Sequence, residues 1–399
     1  MGWKKMSNKE KLKISNYEDY IKNCSNCSMC REICPTYLIS RRESKFAGGR
    51  MRIFRTFVEE GLRFSGAFLE IMAFCMTCKR CEEICPVKLD YVNILETIRK
   101  EIVSKAMKTI EKQNRFVPYL VKSKNPYGEP QKERMSWVIN ELNIISYGRY
   151  AYFVGCTSSY RAKESAVNTA KILSKILKEG FILLKDEEYC CGSPYLRTGL
   201  VDLTLNYKNQ SIEFHLEDYI KHNIKTLKEK GVKKIIFNCS GCYKTAKIDW
   251  AKSTKTKLPF QFFHISELIA DKLKKNEINF KKWSKKITYH DPCHLGRHMG
   301  IYEEPREILN AIPGVKLIEM EHNKQETICC GAGGGFKAGF PQESLEVAKI
   351  RIKEAIKTGA EIIATSCVFC KNHLSSAIQK MNKEIKVLNI EDIVADQIQ

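Results

Sequence analysis

Eighteen cysteines are the residues of this chain best suited to chemistry, and their spacing sorts them into four groups with none left over. Cys24, Cys27, Cys30 and Cys34 form the first group, and Cys75, Cys78, Cys81 and Cys85 the second. Cys156, Cys190, Cys191, Cys239 and Cys242 form the third, and Cys293, Cys329, Cys330, Cys367 and Cys370 the fourth. Structural disulfides do not explain two CxxCxxCxxxCP runs, because cysteines three apart in tight turns aim their sulfurs at a common centre. The N-terminal stretch 1–20 is basic with no apolar segment after it, so neither a secretory signal nor an oxidising compartment is expected. Metal is the economical reading of the cysteines.

The runs CSNCSMCREICP (24–35) and CMTCKRCEEICP (75–86) have the bacterial-ferredoxin pattern, in which three thiolates of one run and the last of the other hold each cubane. Cys24, Cys27, Cys30 and Cys85 are therefore assigned to one [4Fe-4S] cluster, and Cys75, Cys78, Cys81 and Cys34 to the second. Pro35 and Pro86 fix the turn where the chain leaves each cluster. Zinc sites use two CxxC pairs and rarely three consecutive CxxC steps.

Helices must position these runs. Stretch 41–74 carries Met51, Phe54, Phe57, Val58 and Leu62 at helical spacing, and 92–110 repeats the pattern with Ile94, Leu95, Ile98 and Ile102. A helical domain over 1–115 is expected. Pro118, Pro126, Gly128 and Pro130 then punctuate a linker over 116–148.

Beyond the linker, strand-like runs alternate with helical ones, as in parallel α/β layers. Strands are expected at 150–154, 181–184, 234–237, 286–289, 315–318 and 361–364, and helices at 162–178, 201–220 and 305–311. The cysteines recur at offsets of 137, 139 and 128 residues, which an internal duplication explains, with halves at 149–282 and 283–399. Each cysteine group sits where a strand ends, the place where open α/β sheets bind ligands.

Each half reads C-x(33 or 35)-CC-x(47 or 36)-CxxC, one cysteine more than a cubane or a zinc ion needs. With the two ferredoxin runs and the NPYG…R…W linker, this pattern over nearly the whole length resembles the CCG-domain iron–sulfur proteins of the heterodisulfide reductase D-subunit family, known from methanogens. The resemblance implies an α-helical two-cluster ferredoxin-like domain followed by two repeated α/β CCG domains. It also implies a non-cubane [4Fe-4S] cluster on each five-cysteine set. The longer first-half gap leaves zinc or a four-ligand cluster open at the first CCG site.

By the same resemblance the chain is an iron–sulfur catalytic subunit that reduces the coenzyme M–coenzyme B heterodisulfide, with electrons passing from the cubanes to the CCG clusters. Cys293, Cys329, Cys330, Cys367 and Cys370, with His290 and His294 beside Cys293, are the candidate catalytic set. The histidines could donate a proton near neutral pH. A membrane cytochrome b subunit or a soluble electron-donor flavoprotein is the implied partner, and the chain is expected in the cytoplasm, at the inner face of the membrane. The alternative is a non-catalytic electron-transfer subunit of a flavin-linked dehydrogenase of the glycerol 3-phosphate, lactate or glycolate type.

The remaining signals are weaker. GAGGG (331–335) fails the dinucleotide GxGxxG spacing and is read as backbone free to approach a cluster. His215, His222, His264 and His322 read as surface or helix positions, and Arg297 as a candidate anion ligand. Net charge is +21, yet no nucleic-acid recognition motif appears. Four thiolate-ligated clusters would remove roughly 8 to 10 of those charges. The remainder suits an acidic disulfide substrate, an acidic partner or a membrane surface.

Overall fold

The computed structural model describes residues 21–60, 65–106, 109–114, 116–207 and 210–399. The reading of stretch 1–20 and the helical positions assigned to Leu62 and to 107–108 lie outside the described residues.

Short apolar runs between turns become strands: β1 (Ile144–Ile145), β2 (Tyr150–Tyr152), β3 (Phe181–Ile182), β4 (Asp202–Tyr207), β5 (Gln210–His215) and β6 (Lys234–Phe237). They continue with β7 (Gln261–His264), β8 (Lys285–His290), β9 (Val315–Leu317), β10 (Ile362–Thr365) and β11 (Lys386–Asn389). Ile235, Ile236 and Phe237 in β6, and all of β10, are buried, the continuous apolar signature of strands covered on both faces.

Two parallel sheets result, ordered β1-β3-β2-β6-β7 and β11-β10-β8-β9. The orders β3-β2-β6-β7 and β9-β8-β10-β11 correspond as a repeat, and β1 is an extra strand supplied by the linker. In each, the chain steps from a central strand to one side and then crosses to the other. The crevice at that reversal, outside the carboxyl ends of β2 and β6 or of β8 and β10, is where such sheets hold ligands.

The chain divides into two compact units. The sheet unit comprises Pro118–Ser193, Leu216–Cys330 and Ala348–Gln399. Its halves share one hydrophobic core: Tyr152 and Ile236 of the first sheet belong to the same buried cluster as Ile287, Tyr289 and Ala364 of the second. At their junction Ser165 Oγ donates to Asp392 Oδ1 at 2.9 Å and Ser240 Oγ to the Ser366 carbonyl at 2.6 Å.

The helical unit comprises Met1–Val117, Pro194–His215 and Gly331–Val347, so it takes in two segments that the sequence reading places inside the repeated halves. The helices Ala47–Glu60, Gly66–Ala73 and Tyr91–Ala106 bury Met51, Phe54, Phe68, Met72, Leu95 and Ile98 against one another. Ser65 caps the second of these by accepting from the Phe68 amide.

Two expectations are corrected. The helix expected at 201–220 is the antiparallel hairpin β4–β5, followed by a helix over Leu216–Glu229. Val201, Leu203 and Leu205, then Ile212 and Phe214, alternate with polar residues, a period of two that overrides helix propensity. Leu203 pairs with Phe214 across the ladder, and both are buried. This hairpin takes up the longer first-half gap. The linker, expected to lack regular structure, contains a helix at Phe116–Ser123 and a 3-10 turn at Gln131–Met135.

Arg99 ties the helical unit together. Its buried guanidinium donates to five carbonyls, those of Met72 (2.9 Å), Ala73 (3.1 Å), Cys75 (2.9 Å), Arg197 (2.6 Å) and Gly334 (3.0 Å). Arg99→Leu strands these acceptors in a dry interior and is expected to cost at least about 3 kcal/mol, seen as a lower thermal midpoint. Arg99→Lys keeps the charge without the planar fork and should recover only part of that loss.

Candidate iron–sulfur sites

The two ferredoxin runs turn by the same device. Asn26 and Ser28 in the first run, and Thr77 and Lys79 at the same positions of the second, have left-handed backbone, with φ of 55°, 61°, 50° and 65°. Such residues are uncommon outside glycine and here curl each CxxCxxC segment around its sulfurs. Cys24, Cys27, Cys30 and Cys85 line one pocket. Cys75, Cys78 and Cys34 line another, and Cys81 borders both. Burial pushes the Cys30 thiol up to about 11 and holds Cys75 and Cys81 above the ordinary thiol range. Thiols so placed ionise only beside a compensating cation, as a cluster core supplies.

Arg50 was not singled out in the sequence. It is fully buried, donates from Nε to the Ile71 carbonyl at 2.9 Å and from its other end to the Phe74 carbonyl, and its charge acts on Cys75 and Cys34. The GAGGG glycines approach this same region. A Cβ on Gly333 would lie 2.8 Å from the Met76 carbonyl oxygen, and one on Gly334 would lie 2.5 Å from that of Cys75. Their lack of side chains therefore serves packing on the second ferredoxin run.

The ten cysteines of the sheet unit are all buried. Cys156 follows β2, and Cys239 lies two residues beyond β6; Cys293 and Cys367 stand likewise beyond β8 and β10. Cys190 bonds Cys156, Cys191 lies 3.3 Å from Cys242, and Cys370 lies 3.4 Å from Cys330. Cys239 and Cys367 meet across the junction of the halves, joined by a backbone bridge and in side-chain contact.

The electrostatics alternate along this row of sulfurs. Bonds from Cys329 and Cys370 pull Cys330 well below the ordinary thiol value, and bonds from Cys239 and Cys370 do the same for Cys367, while Cys370 itself is pushed up. Gly155, at φ +74°, passes so close that a Cβ there would lie 3.0 Å from Cys242 Sγ. Soft, desolvated sulfurs, several in mutual contact and in the first half beside the bare backbone of Gly155, fit an iron–sulfur group in each half. The first set would be held by Cys156, Cys190, Cys191, Cys239 and Cys242, and the second by Cys293, Cys329, Cys330, Cys367 and Cys370.

The histidines flanking Cys293 have different settings. His290 is buried at the end of β8, with a ring nitrogen within 4.8 Å of the Cys330 and Cys370 sulfurs. Arg351 Nε donates to its Nδ1 at 3.1 Å, and burial holds the ring below the usual histidine value, so it is a neutral group with its proton on Nε2. His294 is half-buried, packs edge-on against His298 at 4.6 Å and borders Gly241 of the first half's CSGC turn. Arg297 donates to the Gln325 and Thr327 carbonyls, bracing the loop that leads to Cys329. His264, expected at a surface or helix position, is buried at a helix N-cap: its Nδ1 accepts from the Ser266 amide, and burial lowers it to about 4.

Residues 150–247 and 287–375 match the Cysteine-rich domain family, CCG, and residues 20–89 match the 4Fe-4S dicluster domain family. The chain is 35% identical to the D subunit of dihydromethanophenazine:CoB–CoM heterodisulfide reductase from Methanosarcina mazei, over 94% of this chain and 93% of that protein. It is 29% identical to the B subunit of fumarate reductase (CoM/CoB) from Methanothermobacter marburgensis, over 96% of this chain and 74% of that protein. A solved structure of a hypothetical protein from Helicobacter pylori shares the fold at a TM-score of 0.52 and 12% identity, covering 96% of this chain and 75% of that one. With its two ferredoxin runs and two CCG units, this chain is an iron–sulfur oxidoreductase subunit and belongs to the heterodisulfide reductase D-subunit family.

Proposed function

We propose that this chain is the catalytic subunit that reduces the coenzyme M–coenzyme B heterodisulfide to two thiols. The observation that carries this reading is the pair of complete five-cysteine sets, which touch where Cys239 meets Cys367. Two relatives whose names contain CoM and CoB support the choice of disulfide. The reaction breaks one S–S bond and takes up two electrons and two protons. Iron–sulfur groups on the two CCG sets, non-cubane in type, would supply the electrons, received from cubanes on Cys24, Cys27, Cys30 and Cys85 and on Cys75, Cys78, Cys81 and Cys34.

This chain's own residues hold and orient. His290 offers its Nε2 proton toward the Cys330 side, and Arg351 fixes that tautomer. His294, less enclosed, is placed to pass a proton to a departing sulfur. Dispersed lysines attract the acidic substrate. No described helix is long and apolar enough to cross a membrane. A membrane cytochrome b subunit and a soluble flavoprotein are the candidate donors.

Protein purified without oxygen should contain about 16 iron atoms per chain, four for each of four clusters. With a reduced viologen it should cleave the coenzyme M–coenzyme B heterodisulfide faster than simple symmetrical disulfides. About eight iron atoms with stoichiometric zinc would reassign one or both CCG sites, and no preference across the disulfides would remove the substrate assignment.

A further inference from the structure

The linker supplies something the duplicated halves lack by themselves. Three of its residues converge on the first CCG set. The Lys124 carbonyl accepts from the Cys190 amide at 2.9 Å, and the Tyr127 hydroxyl bonds Thr157, next to Cys156, at 2.9 Å. Arg134 directs two guanidinium nitrogens at Cys156 Sγ, at 3.7 and 3.6 Å. Asn125 holds the strap in shape, its side-chain oxygen accepting from the Tyr127 and Glu129 amides.

Arg134 is fully buried, and so is its partner Glu188, which it meets at 2.6 Å. Glu188 turns the pair into an oriented dipole. Its carboxylate accepts from the Val154 and Gly155 amides at 2.9 and 2.8 Å, so the negative end is bound to backbone and the positive end faces the sulfur. The counterpart sulfur in the second half, Cys293 Sγ, accepts no guanidinium hydrogen bond among the described residues. There Arg351 reaches the sulfurs only through the neutral ring of His290. Two equal cysteine sets thus have unequal electrostatic surroundings.

We propose that the Arg134–Glu188 pair sets the reduction potential of the iron–sulfur group at the first CCG site, Arg134 raising it and Glu188 restraining the rise. Adding an electron makes the group and its thiolates more negative. A buried cation at a ligand sulfur stabilises that state, and a nearby anion opposes it. Arg134 is a positioning residue by this reading, because it acts through Cys156. The inference rests on the first CCG set holding a redox-active iron–sulfur group, and it does not depend on which disulfide is the substrate.

The test is a redox titration of the full chain, followed by electron paramagnetic resonance, with iron measured on the same samples. The first-site couple is the one lost in Cys156→Ser. Arg134→Gln should move that midpoint to lower potential, Glu188→Gln should move it to higher potential, and Arg134→Lys should return it toward the parent value. A purely structural pair gives shifts of the same sign in both glutamine variants, or none at unchanged iron content, and either result overturns the proposal. So does a parent protein with no first-site couple. If Arg134→Gln fails to retain iron, Glu188→Gln and Arg134→Lys decide: an upward shift in the first with a near-parent value in the second supports the proposal, and any other pattern rejects it. Opposed shifts in a protein that leaves the heterodisulfide intact would sink the substrate reading and leave this inference standing.

Discussion

Cys330→Ser is expected to lower heterodisulfide cleavage by about 100-fold or more, about 2.7 kcal/mol in activation free energy, while the signals of the two cubanes persist. Cys330 is buried, 3.4 Å from Cys370 and beside His290, and its neighbours hold it well below the usual thiol value. Serine is nearly the same size, but its hydroxyl does not ionise in this setting and is a harder, poorer ligand for iron. The loss should therefore fall on turnover with little change in KM. The cysteines of the two ferredoxin runs belong to the other unit, so their spectra control for that unit, and the thermal midpoint reports whether the sheet unit survives. The assay uses a viologen donor at saturating disulfide. Turnover at the parent rate would replace the catalytic reading with that of an electron-relay subunit serving a flavin-linked dehydrogenase.

Cys27→Ser should separate electron entry from chemistry. Cys27 is the exposed member of the cavity it lines with Cys24, Cys30 and Cys85. On the proposed assignment its loss removes a cubane ligand, and Cys27 is not among the residues of the buried helical core. Turnover driven by the natural electron donor is expected to fall at least about tenfold, about 1.4 kcal/mol. Turnover driven by a small viologen that reduces the CCG groups directly should stay near the parent rate. Equal loss with both donors, in protein that keeps its thermal midpoint, would contradict this division of labour.

Much of the candidate site is legible along the chain because its cysteines are grouped by local turns. The CxxCxxCxxxCP runs specify spacing over a dozen residues, and the left-handed residues that curl them are inside the same segments. The duplication is equally plain, since cysteines recur at the ends of apolar runs that become β2, β6, β8 and β10. The strand expected at 234–237 matches β6 to the residue. The missed hairpin β4–β5 had a local signal, the alternation from Val201 to Leu205, that a helical reading of the segment passed over.

What surrounds the sulfurs was decided only by the tertiary structure. In a chain with 67 lysines and arginines, Arg50, Arg134 and Arg351 look like any solvated cation. Each is in fact fully buried; Glu188, which pairs with Arg134, and His290, which accepts from Arg351 beside that arginine's local partner Glu354, lie 54 and 61 residues away. The meeting of Cys239 with Cys367 is likewise long-range, produced by a core that both halves share. The grouping of the cysteines is a matter of covalent spacing and can be read from the sequence. Desolvation and charge pairing depend on which distant surfaces are buried together, and that is a property of the folded chain.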